Sequence, residues 1–277
     1  MDYREALGTQ MPALGFGTWD LRGAQCVRLV KHALAVGYRH IDAAAMYGNQ
    51  IEVGKALNAS GIDRTELFVT TKIQTEQLHY EDVMRSAERS LIDLNIEYVD
   101  LLLIHWPNPA TPLAETLDAM NELKRAGRTR QIGISNFPVK LMKQAVEECG
   151  AELFCNQVEY HPYLSQRSVL AYAKKHGLLV TAYSPLSSGR HDFTKSITLT
   201  QVSDKYVKSI PQIILRWLLQ QDSVAAIPKS SKKCHCQSNL DIFDFKLTVH
   251  EMQTIGSLYR HDGRAVNPEN APQWDKD

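Results

Sequence analysis

The sequence predicts an α/β chain closed into a (β/α)8 barrel, and three observations point to that class. About eight apolar runs of strand length alternate with stretches of helical periodicity along 277 residues, the order expected of a barrel and not of a sandwich or a bundle. Runs such as YVDLLLIH, residues 98–105, are too continuously apolar to have a solvent face, which is the signature of strands buried on both sides in a parallel sheet. Three successive runs also end in an ionisable residue: Asp42 after YRHI, Lys72 after LFVTT and His105 after VDLLLI. The C-terminal rim of the strands is where a barrel gathers its chemistry. An open doubly wound sheet is the alternative, but neither a reversal point nor a nucleotide-binding glycine fingerprint is found.

Taken in order, Leu14 to Gly17 reads as a short first strand, and AQCVRLVKHALAVG as a helix closed by Gly37, a favourable residue just past a helix end. The second unit is YRHID with a helix near Gln50 to Ser60, and the third LFVTTK with EDVMRSAERSLIDL. YVDLLLIH and PLAETLDAMNELKRAG form the fourth, Gln131 to Ser135 and a helix after Pro138 the fifth, and FCNQVEY with SQRSVLAYAKKHG the sixth. LLVTAYS opens the seventh, followed by a long link and a helix capped near Ser209 with Pro211 in its first turn. VAAIP opens the eighth, with a helix around Lys232 to Asp241. Thr248 and Glu251 form a capping-box pattern for an extra helix, and the tail reads as a closing loop carrying Trp274.

Residues 1–277 are expected to form one domain, since nothing resembles a linker and barrels of this size are commonly single units. Lys and Arg total 31 against 31 Asp and Glu, so no nucleic-acid or membrane partner is implied. The N-terminal stretch lacks the basic and apolar regions of a signal peptide. Five cysteines without a CxxC pair suit reduced intracellular thiols, and the expected location is the cytoplasm. Nothing marks an obligate interface, so a monomer is expected.

Several motifs mislead. Gly15-Phe16-Gly17 starts like a dinucleotide loop, but Asp20 stands where the third glycine belongs. His250-Glu251 lacks a second histidine at Thr254, Cys234-His235-Cys236 lacks zinc-finger spacing, and Gly133 to Phe137 lacks the closing glycine of a nucleophile elbow.

The polar groups at the strand ends are more informative. They are Asp42, Lys72, His105, Ser135 with Asn136, Gln157, Tyr183 with Ser184, and Lys229 with Ser230, while Tyr47 lies just beyond the second. Asp, Lys and Tyr together make an acid whose proton can be tuned. A free tyrosine, at a pKa of about 10, is too weak to protonate an alkoxide efficiently at neutral pH. A nearby ammonium favours the phenolate, and a depression of roughly two units corresponds to about 2.7 kcal/mol. His105 would donate to a carbonyl oxygen, and the hydride for carbonyl reduction must come from a bound cofactor, since no side chain supplies one.

GFGTW, IDAAAMYGN, VTTKI, LLLIHWP, GISNF, NQVEYHPYL, AYSPL and IPKS are similar, in order and spacing, to the successive signatures of the aldo-keto reductases, and the chain resembles that family along nearly its whole length. The resemblance implies that Asp42, Tyr47, Lys72 and His105 are the catalytic tetrad, with Tyr47 the proton donor. It implies that Ser135, Asn136 and Gln157 hold the nicotinamide carboxamide, that Tyr183 stacks on its ring, and that Ser184, Pro185 and Leu186 line the pyrophosphate path. Lys229 and Ser230 would meet the 2′-phosphate of NADPH, and Asn239 the adenine. The family usually has arginine where this chain has His235 and glutamate where it has Ser238; Lys232 resembles the basic substitute of a bacterial branch similar to 2,5-diketo-D-gluconic acid reductases. NADPH is therefore the expected cofactor, with NADH also usable. Trp19, Tyr47, His105, Trp106 and Trp274 are expected to wall an open site for a small polar carbonyl compound, such as a diketo sugar acid or methylglyoxal. Two other readings fit the fold: a nucleotide-sensing regulatory subunit, which could dispense with the tetrad, and an isomerase or aldolase acting on phosphorylated sugars.

Overall fold

Residues 2–277 are described by a computed structural model. The chain begins with a hairpin, β1 (Tyr3–Ala6) paired antiparallel with β2 (Thr9–Pro12). Its two-residue turn places Leu7 and Gly8 at positive φ, the geometry that matches the twist of a tight hairpin. The sequence reading missed this hairpin, because four-residue strands carry too little alternation to register. Ala6 and Met11 cluster with Phe68, Leu101, Phe154 and Leu179, residues at or near the strand beginnings, so the hairpin plugs the end of the barrel opposite the rim.

The barrel strands are β3 (Phe16–Gly17), β4 (His40–Asp42), β5 (Phe68–Ile73), β6 (Val99–Ile104), β7 (Thr129–Ser135), β8 (Cys155–Glu159), β9 (Leu179–Tyr183) and β10 (Val224–Ala226). They are parallel and lie side by side in chain order. The first and last close on one another: Gly15 N donates to Ala226 O at 2.8 Å, Ala226 N to Ala13 O at 2.8 Å, and Gly17 N to Pro228 O at 3.1 Å. A Cβ on Gly17 would sit 2.8 Å from Ile227 O. The glycine that mimics a nucleotide loop is thus required by barrel closure.

Around the sheet stand α1 (Gly23–Ala35), α2 (Gln50–Asn58), α3 (Tyr80–Leu94), α4 (Leu113–Arg125), α5 (Val139–Lys143, continued by a π turn over Gln144–Glu148) and α6 (Arg167–His176). They are followed by α7 (Ile197–Tyr206), α8 (Ile210–Leu219), α9 (Lys233–Leu240) and α10 (Val249–Gly256). Both expected caps form. Gln212 Oε1 accepts from Ser209 N at 2.8 Å ahead of α8, and at α10 Thr248 Oγ1 accepts from Glu251 N while Glu251 Oε2 accepts from Thr248 N. The long link after the seventh barrel strand is not all loop, since α7 occupies it. Its sequence, ITLTQVSDKY, is rich in threonine and β-branched residues of middling helix propensity, and it buries only Leu199 and Val202, so no apolar stripe announces it. No helix of the described residues is long and apolar enough to cross a membrane.

Candidate active site

Because the strands are parallel and lie side by side, their C-terminal portions gather along one rim of the barrel. Register pairs Asp42 with Thr70, Lys72 with Leu103 and Ser135 with Gln157. The Lys72 ammonium is fully buried and in contact with the Asp42 carboxylate. It also donates to Ala43 O at 3.0 Å and to the Tyr47 hydroxyl at 3.1 Å. The second Asp42 oxygen accepts from Gln157 Nε2 at 2.8 Å. The His105 ring meets that of Tyr47 edge-on at 5.7 Å, and its buried Nδ1 has no partner among the described residues. The four residues flagged by the sequence therefore form one cluster.

Electrostatics sharpen the picture. Burial works against the Lys72 charge, but Asp42 and Tyr47 outweigh it and hold the ammonium above its ordinary range. Burial and then the Lys72 charge push His105 well below its usual value, so its imidazole is neutral at neutral pH and can donate from only one nitrogen. The Tyr47 phenol behaves differently from expectation. Burial raises it more than Lys72 lowers it, and Asp42 adds to the rise. The ammonium is shared between Asp42 and Tyr47, and desolvation of a phenolate exceeds what the remaining attraction returns. Lys72 thus limits the rise instead of producing a net depression.

Tyr47 is held by residues that the strand-end reading passed over. It closes a single 3-10 turn, Ala45–Tyr47, ended by Gly48 in the left-handed conformation. Arg22 reaches across to the Tyr47 carbonyl. Asn49, fully buried, donates to Thr18 O at 2.8 Å and Leu21 O at 3.0 Å, and Thr18 Oγ1 donates to Asp42 O at 2.8 Å. Thr18 lies in GFGTW and Asn49 in AAAMYGN, so the signal was present in the motifs without any chemistry to mark it.

Beside the cluster, Asn136 Nδ2 donates to His105 O at 2.9 Å, Ser135 Oγ donates to Gln157 O at 2.8 Å, and Tyr183 OH donates to Asn136 Oδ1 at 2.8 Å. Asn136 adopts a φ of 64, which asparagine tolerates better than most residues. Ser184, Pro185 and Leu186 turn away from β9, with Ser184 at positive φ. Lys229, Ser230 and Lys232 lie on the loop after β10, and His235 and Asn239 on α9. Ser230 is already committed, since its hydroxyl donates to Lys232 O and accepts from Lys232 N, both at 3.0 Å. The first turn of α9 carries no acid and has no side-chain cap. Lys233, which the sequence reading left out, and Ser231 stand at its start. Such a helix end beside lysines suits a phosphate.

The tryptophans fall in two places. Trp19, half-exposed, stands edge-on to Tyr47 at 5.0 Å, whereas Trp106 is buried and meets Trp274 edge-on at 6.1 Å.

The profile of the Aldo/keto reductase family matches residues 13–260. Methylglyoxal reductase DkgB of Escherichia coli O157:H7 is 40% identical over 269 residues, spanning 96% of this chain and 99% of its own. Among solved structures, a provisionally assigned 2,5-diketo-D-gluconic acid reductase B superposes with a TM-score of 0.96 at 40% identity, covering 100% of this chain and 98% of that one. An aldo-keto reductase of Bombyx mori in complex with NADP superposes with a TM-score of 0.89 at 31% identity, over 96% of this chain and 95% of that one. The chain belongs to the aldo/keto reductase family.

Proposed function

We propose that this protein reduces small polar aldehydes and ketones to alcohols with NADPH, dicarbonyls of the methylglyoxal or diketo sugar acid type being the preferred substrates. The observation that carries the reading is the buried contact of Lys72 with both Asp42 and the Tyr47 hydroxyl, beside a neutral His105. That arrangement holds a phenolic proton next to a hydrogen-bond donor in a site closed to most water, which is what an alkoxide developing from a carbonyl needs.

The residues present fit the cofactor. Gln157 commits its amide nitrogen to Asp42, which leaves its oxygen to accept from a carboxamide, and Ser135 and Asn136 lie alongside. Lys229, Lys232, Lys233 and the start of α9 suit the 2′-phosphate. Bound NADPH supplies the hydride. The protein's residues do the rest: His105 orients the carbonyl oxygen, Tyr47 gives it a proton, and Lys72 stabilises the phenolate left behind. Asp42, pinned by Gln157, keeps Lys72 charged and in place.

The substrate class rests on the walls and on the relatives. Trp19 is half-exposed at the mouth, leaving hydroxyls and a carboxylate partly solvated, and the E. coli relative is named a methylglyoxal reductase. Tyr47→Phe tests the reading. It should keep the pocket's shape and NADPH binding while lowering kcat for methylglyoxal at least about a hundredfold, the low end of general acid catalysis. Near-normal turnover would remove Tyr47 from the role, and a steroid reduced more efficiently than any small dicarbonyl would remove the substrate class.

A further inference from the structure

After α10 the chain forms no helix or strand over residues 259–277, yet it is tied to the rim along its length. The root of this arm is held by Glu159, a fully buried carboxylate at the end of β8. One Glu159 oxygen accepts from Ala265 N at 2.8 Å and faces His161 Nε2 at 3.1 Å, and the other accepts from Val266 N at 2.9 Å. Arg264 comes no closer to Glu159 than 3.9 Å, because its guanidinium lies over the Trp274 ring, 3.7 Å from the centroid. The Trp274 indole N–H donates to Asn267 Oδ1 at 2.8 Å, closing the arm into a loop. Farther on, Asp275 accepts from Val139 N at 3.0 Å at the start of α5, and Asp277 from Ser168 N at 3.1 Å in the first turn of α6.

A buried carboxylate must have its lone pairs satisfied, and Glu159 obtains two of its bonds from the arm. The dependence runs both ways, since the amides of Ala265 and Val266 need an acceptor. Glu159 also lies two residues beyond Gln157 on the same strand, hence on the same face, so the strand that supports Asp42 also sets where the arm begins.

We propose that Glu159 is a positioning residue for the substrate: by fixing the root of the arm it sets Trp274, through Arg264, against Trp106, and so fixes the wall facing the reacting carbonyl. This rests on the reading of Trp106 and Trp274 as substrate walls. A purely structural carboxylate would affect stability alone, whereas a positioning one separates KM from kcat.

Glu159→Gln replaces one carboxylate oxygen with an NH2 that confronts an arm amide with a second donor. In full-length enzyme the expected result is a KM for methylglyoxal raised about tenfold, with kcat and NADPH affinity within twofold of wild type and faster amide hydrogen exchange at residues 265–266. Arg264→Met leaves the hydrogen bonds from the Ala265 and Val266 amides to Glu159 in place, removes the cation over Trp274 together with its 3.9 Å ion pair to Glu159, and should raise KM about threefold, which keeps the test open if the first variant folds poorly. An unchanged KM in an enzyme whose arm exchanges faster would overturn the proposal. So would parallel losses of kcat and NADPH affinity, which would place the effect at Gln157. If the wild-type enzyme turns over no small carbonyl, the reading of the site fails first and this inference with it; wild-type turnover with an indifferent Glu159→Gln sinks only the inference.

Discussion

Removing the Lys72 ammonium while keeping its volume, by Lys72→Met, should damage the protein in two separable ways. Lys72 and Asp42 are both essentially excluded from solvent, and without the ammonium the Asp42 carboxylate retains only the Gln157 amide as a side-chain donor. Breaking a buried pair by deleting one partner costs about 3–5 kcal/mol, because the remaining charge is uncompensated. Asp42→Asn should cost a similar amount by stranding the ammonium. The double variant removes both charges and should be less destabilised than the singles predict, with a coupling energy of about 3 kcal/mol. Urea unfolding at neutral pH reads these values as shifts in midpoint at constant slope. Activity should not follow stability. The 3.1 Å bond between Lys72 and Tyr47 is lost in the Lys72→Met single variant and in the double variant alike, so kcat should stay at least about a hundredfold down in the double variant. Additive stability losses would refute the buried-pair argument, and a double variant that regains turnover would show that the phenol needs no ammonium.

Other consequences are equally open to measurement. His235 lacks the planar charged fork that suits a phosphate, and one charge-assisted bond is worth about 1.5–3 kcal/mol; His235→Arg should therefore raise the ratio of NADPH to NADH affinity about tenfold to a hundredfold, and an unchanged ratio would exclude His235 from the 2′-phosphate site. His40 is buried beside Thr70 and Pro12, and burial lowers its pKa to about 4. The unfolded chain then binds the extra proton below about pH 6.5 while the folded one resists it until about pH 4, so stability falls as pH falls through that window. The His40 share of the loss should be about 1 kcal/mol between pH 7 and 5.5, and a His40→Asn variant should lack it. Since Tyr47 titrates above the ordinary phenol value, kcat for reduction should stay flat to about pH 10, and an early decline would mean a different donor. Trp19→Ala and Trp106→Ala, each assayed with methylglyoxal and with a bulky aryl aldehyde, should change the preference between the two; equal losses would mark both tryptophans as structural.

The sequence alone determined the barrel, because alternation of two-sided apolar runs with helical periodicity has few solutions in a chain of this length. It also determined which strand ends carry ionisable groups, since Asp42, Lys72 and His105 directly follow apolar runs. Caps were legible for the same local reason: Ser209 ahead of Pro211, and Thr248 with Glu251, act within a single turn. What the sequence could not decide depends on contacts between residues far apart in the chain. The β1–β2 hairpin and α7 carry weak local patterns and are stabilised by what they pack on. The upward shift of Tyr47 emerges from the burial of a whole neighbourhood, and no residue type announces it. Ser230 reads as a phosphate ligand from its place after the eighth strand, and only the fold shows that its hydroxyl also bonds the backbone of Lys232. Glu159 is an unremarked polar residue of the FCNQVEY run, and only the folded chain brings the amides of Ala265 and Val266, 106 and 107 residues away, onto its carboxylate. Local patterns fix elements and their ends, whereas charge states and long-range anchors are set by burial, which only tertiary packing creates.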